Sequence, residues 1–90
     1  MNRDQLTLAR QALGLPNPRR QSYANHFVAP PRGEALEAWG EMIRAGLAIC
    51  RTGSAEAGPA TFALTRAGAD RALAPGERLN PTDFPPIGAH

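Results

Sequence analysis

Cys50 is the only thiol in the chain, and His26 and His90 are the only imidazoles. A cysteine nucleophile needs a base beside its sulfur and a third group to orient that base. His26 and Cys50 could supply the first two, but no third group follows from their spacing. Cys50 therefore reads as a small hydrophobe packed on a strand. A single cysteine also excludes an internal disulfide, and two histidines do not make a convergent metal-ligand set. All ten basic residues are arginine, so no glycine-rich phosphate loop with its lysine exists. These residue types predict a non-enzyme without catalytic residues, metal or cofactor.

What remains is recognition chemistry. Arg19, Arg20, Tyr23, His26 and Arg32 form a basic stretch with aromatic character. Guanidinium forks suit phosphate or carboxylate, and a tyrosine beside them can stack on a base or pack on a protein. Directly after it, Glu34, Glu37 and Glu41 line one face of a helix. The charge is segregated along the chain. Residues 1–32 hold five Arg against Asp4, whereas residues 33–90 hold five Arg against seven acids, so a net charge of +2 hides a basic third and a mildly acidic remainder. A protein that coats nucleic acid should be more uniformly basic.

Several short elements must position these groups. Ninety residues with 42% apolar content allow one domain and one modest core. Asn2 and Gln5 have the spacing of a capping box; Leu6, Ala9 and Leu13 recur at helical period, and Gly14-Leu15-Pro16 ends the pattern, predicting a helix over 3–13. Tyr23 to Ala29, closed by Pro30-Pro31, fits a short strand better than a short helix, for which Tyr23 and Phe27 are also correctly spaced. Gly33 to Gly46 predicts the main helix, with Leu36, Trp39, Ile43 and Leu47 as its apolar stripe, widened by Met42. Gly40 inside that helix suggests a close approach by a neighbouring element. Residues 47–51 and 61–65 read as strands on either side of a loop from Thr52 to Pro59, and Thr65 is placed to cap a last helix. The expected core joins Leu6, Leu13, Leu36, Trp39, Ile43, Leu47, Phe62, Leu64 and Leu73. Residues 1–74 form the domain. Residues 75–90, with four prolines, read as an extended strap anchored by Leu79, Phe84 and Ile87, or as a loose tail.

The order helix, strand, helix, strand, turn, strand, helix suggests a small α+β domain of winged-helix type. The stretch MIRAGLAICRTGSAEAGPATFALTRAGADRAL (42–73) resembles the wing segment of MarR-type regulators: Gly46-Leu47 closing a helix, a strand with Arg51, a variable wing, then Leu64-Thr65 before Gly68 and Leu73. The whole layout, with YANHFVAP ahead of the wing, is also similar to small proteins encoded in tailed phages and prophages. The first resemblance implies a dimeric DNA-binding regulator with Arg19, Arg20, Arg32 and Arg51 on phosphates; across both readings the chain is expected to be a monomer or homodimer. The helix before the wing departs from that pattern. It offers Glu34, Glu37 and Glu41 where a major-groove reader presents Arg, Asn or Gln. The wing, residues 52–60, holds one charge, Glu56. The second resemblance, with the segregated charge, implies a non-enzymatic protein docking on a host protein or nucleoprotein complex, for example an anti-CRISPR-type inhibitor of host defence. The charged N-terminus lacks the apolar run of a signal peptide and no stretch is long enough to span a bilayer, which predicts a cytoplasmic protein without a membrane partner.

Overall fold

The structure, a computed structural model, describes residues 1–30, 32–52 and 59–84. Three helices and a three-stranded antiparallel sheet alternate as α1 (Arg3–Leu13), β1 (Phe27–Ala29), α2 (Glu34–Arg44), β2 (Ala48–Thr52), β3 (Ala60–Leu64) and α3 (Arg66–Ala72). The sheet order is β1-β3-β2, so the last strand lies in the middle. Among the described residues no helix is long and apolar enough to cross a membrane. The 53–58 part of the expected loop and the expected anchor Ile87 lie outside the described residues.

Helix α1 forms as its ends dictate. The Gln5 amide donates to Asn2 Oδ1 at 2.8 Å and the Asn2 amide to Gln5 Oε1 at 3.2 Å, closing the capping box. At the other end Gly14 is left-handed at φ 79°, and the Leu15 amide reaches back to the Arg10 carbonyl at 2.9 Å. Helix α2 ends the same way at Gly46, with the Leu47 amide on the Met42 carbonyl at 2.8 Å. Thr65 caps α3 by accepting the Gly68 amide, and its own hydroxyl donates to the Gly46 carbonyl, tying the two helix ends together.

Trp39 is the centre of the core. It is fully buried, stacks nearly parallel on Phe62 with centroids 5.5 Å apart, and tilts against Phe27 at 5.6 Å. Leu13, Leu47 and Leu64 are buried with it, while Leu6, Leu36 and Leu73 pack against the cluster only partly buried. Ile43 does not join them. It is 37% exposed, and Met42 takes its place at 1%. The buried face of α2 runs through Trp39 and Met42, three residues apart, so the residue expected to widen the stripe lies on it and Ile43 falls at the margin.

The segment before β1 is also shorter than its pattern suggests. Only Phe27–Ala29 pair with β3. Upstream, the Tyr23 and His26 amides donate to the Leu13 and Ala12 carbonyls, orphan groups at the end of α1, instead of to a strand. The side chain of Asn25 then takes both backbone groups of Leu64, accepting from its amide at 2.8 Å and donating to its carbonyl at 3.1 Å. The close approach expected at Gly40 is elsewhere. A Cβ at Gly40 would meet only an Arg44 guanidinium nitrogen at 3.7 Å, whereas one at Gly68 would collide with the Leu47 carbonyl.

Residues 75–84 run back over the domain. Arg78 bridges Gln21, the Asn80 amide donates to the buried Ser22 hydroxyl at 2.8 Å, Leu79 packs at the core edge, and Phe84 is buried in it.

Candidate functional site

Two charged surfaces emerge, and they draw the sequence candidates apart. Glu34, Glu37 and Glu41 are all exposed, and they border a cleft of about 490 Å³ between α2 and the first turns of α1. Asp4 adds a fourth carboxylate from the opposite wall, and Leu8, Ala35 and Ala38 contribute apolar lining. Among the described residues no basic side chain lines this cleft. Part of the pattern is local helix chemistry, because Asp4, Glu34 and Glu37 occupy first turns, where the helix dipole favours anions. Glu41 does not. It sits in the last turn of α2 and is fixed by the Gln5 side-chain amide, which donates to its Oε2 at 3.0 Å across the cleft.

The basic residues divide between the two ends of the sheet. Arg19 and Arg20 lie on the connector after α1, which leads through Asn25 to the Leu64 end of β3. Arg32 follows Ala29, which faces Ala60 at the other end, and Arg51 sits at a bulge on β2 between residues paired with Phe62 and Thr61. Arg19 and Arg20 thus form one patch, and Arg32 and Arg51 belong near the β2–β3 turn. Arg20 is the only described non-glycine residue with positive φ, at 54°. Its carbonyl accepts the Arg78 amide at 2.9 Å, which brings a further arginine beside it. Arg78 and Asn80 carried no spacing signal, because only the return of the strap places them here.

Tyr23 is 70% exposed, so it belongs to this patch and not to the core. Beside it a cleft of about 430 Å³ is lined by Arg19, Asn17, Gln21 and Asn80. His26 is exposed at the start of β1, and Cys50, expected to pack as a small hydrophobe, is exposed on β2. The two flank opposite sides of the central strand, since Phe27 and Cys50 both face Phe62. Two strand spacings, about 10 Å, separate those backbones, and the candidate thiol–imidazole pair is not assembled.

The strap is held by a carboxylate of its own. Glu77 receives both guanidinium nitrogens of Arg10 and the Ala74 amide at 2.7 Å. Hydrogen bonding from Arg10 dominates over burial and holds the Glu77 carboxyl down at about 2. Among the described residues no group of three or more His, Cys, Asp or Glu could hold a metal ion. No protein-family model, curated protein or solved structure matches the chain.

Proposed function

We propose that the chain is a small non-enzymatic binding protein, phage- or prophage-derived and cytoplasmic, that docks on a host protein or nucleoprotein complex. An anti-CRISPR-type inhibitor of host defence, acting by occlusion, is its concrete form. The observation that carries this reading is the α1–α2 cleft: four carboxylates around a mixed polar and apolar lining, with no cation among the described residues that line it. Such a surface complements a basic protein patch, and complementary charge speeds encounter and selects partners.

The element order and the β1-β3-β2 sheet support a winged-helix-type architecture used for something other than reading duplex DNA. A duplex reader lays a helix in the major groove between phosphate walls. Here the single helix between β1 and β2 carries Glu34, Glu37 and Glu41, which phosphates repel. A titration of duplex DNA across salt separates the two accounts. A regulator using Arg19, Arg20, Arg32 and Arg51 should lose affinity with a slope of about −0.9 per phosphate contact in log K against log salt. The docking reading predicts no sequence-specific duplex binding. Selection of a defined site over random DNA by about 10³ or more would overturn it.

A further inference from the structure

Resting on the docking reading, we infer that the face built by the connector after α1 and the returning strap is a binding site for single-stranded nucleic acid, the component a nucleoprotein target would present beside its basic protein surface. Three observations converge on it.

The first is Tyr23. The residue is 70% exposed, yet it is anchored at two points. The Tyr23 amide is bonded to the Leu13 carbonyl at 3.1 Å, and the ring lies so close over Gly14 that a Cβ there would collide with it. One aromatic side chain held in place on the surface is a stacking platform, and every base offers a π-face to it.

The second is charge. The cleft beside Tyr23 adjoins a second one through Gln21, which lines both, and the pair are bordered by Arg19, Arg66 and Arg78. Arg66 is already engaged by Asp70 and the Phe84 carbonyl, so Arg19 and Arg78 carry the charge offered to phosphates. Among the described residues no carboxylate lines either cleft. Of the strap's two acids, Glu77 is consumed by Arg10, and Asp83 lies on the turn at 80–83. The third is the backbone of Arg20. An arginine in the left-handed region is strained where a glycine would not be. The strap accommodates it: Gly76 leaves room for the Arg20 guanidinium, which would come within 3.3 Å of a Cβ at that position.

A duplex fits this face poorly, because a stacking platform needs an unpaired base. An acidic protein would use the arginines but has no need of the fixed ring. Asn17 spends its side-chain amide on the Gly14 and Gln21 carbonyls and so shapes the cleft, while the side chains of Gln21 and Asn80 line it with amide groups for base edges and sugar hydroxyls.

The test is fluorescence anisotropy of the intact protein with a labelled oligouridine of about a dozen residues. A duplex of similar length and polyglutamate serve as competitors. The single strand should bind, and with phosphate contacts from Arg19 and Arg78 its affinity should fall about 7-fold between about 50 and about 200 mM salt. Tyr23→Leu should bind about 10-fold more weakly while Tyr23→Phe stays near the parent. Arg19→Ser with Arg78→Ser should flatten the salt dependence. Thermal melts of each variant confirm that the fold persists, and the two arginine replacements do not touch the core.

No single-strand binding at low salt, equal competition by duplex, an unaffected Tyr23→Leu variant or equal displacement by polyglutamate would each overturn the proposal. The last would mark an acidic-protein site. Glu37→Arg with Glu41→Arg should leave oligouridine binding at or above the parental level. Failure of this face is thereby distinguished from failure of the acidic cleft.

Discussion

Arg10 and Glu77, 67 positions apart, meet in a two-pronged ion pair with nitrogen–oxygen distances of 2.5 and 2.8 Å. Arg10 also donates to the Ala72 carbonyl at 2.9 Å, so one guanidinium ties α1 to the end of α3 and to the strap. Both side chains are largely buried, with 19% and 7% of their surface exposed. A partner lost from such a pair leaves a charge without compensation.

Glu77→Gln should therefore destabilise the protein by about 1–3 kcal/mol at neutral pH. Because the folded carboxyl titrates at about 2 against an ordinary 4.5, the contribution is complete above pH 4.5. It is lost as pH falls from about 4.5 toward about 2. Urea unfolding of parent and variant across pH should show two curves that converge in acid. Curves separated equally at every pH would show that the ion pair does not stabilise the fold.

Trp39→Ala should cost about 3–5 kcal/mol, enough to abolish cooperative unfolding in a domain of this size. The indole is sandwiched against Phe62 and Phe27, and truncation would leave a void that the short sheet cannot close. A variant that melts like the parent would contradict this placement.

Gly68→Ala and Gly40→Ala should act in opposite directions. The first forces a methyl into the Leu47 carbonyl and should destabilise by about 1–3 kcal/mol. The second meets only the end of a flexible arginine and should stabilise α2 by up to about 1 kcal/mol. Thermal melts of the two variants decide the matter.

Local signals in the sequence carried the elements well and their long-range partners poorly. The capping box at Asn2 and Gln5, the left-handed stops at Gly14 and Gly46, and the Thr65 cap are each decided within a few residues, so the helices fall where those residues put them. Tyr23 is the contrary case. Its alternation with Asn25 and Phe27 reads as a strand, but the amides of Tyr23 and His26 serve α1 and Asn25 serves Leu64 by its side chain, choices made only once the chain has returned. Ile43 went to the surface because helical period alone does not tell which side of a wide apolar arc meets the sheet. The same limit governs the sites. The Glu34, Glu37 and Glu41 face was legible from spacing, while Asp4 on the opposite wall and Arg78 beside Arg20 are brought there by tertiary packing.

The acidic cleft carries the central claim, and reversing its charge tests that claim most directly. The measurement is a titration of the parent and of Glu37→Arg with Glu41→Arg against nucleic-acid cleavage by purified CRISPR effector ribonucleoproteins. The parent should inhibit at least one effector class, and the double variant should need about 10-fold more protein or greater for the same inhibition, since like charge at a complementary surface opposes association. Equal inhibition by parent and variant, or no inhibition of any effector class by the parent, would contradict the account.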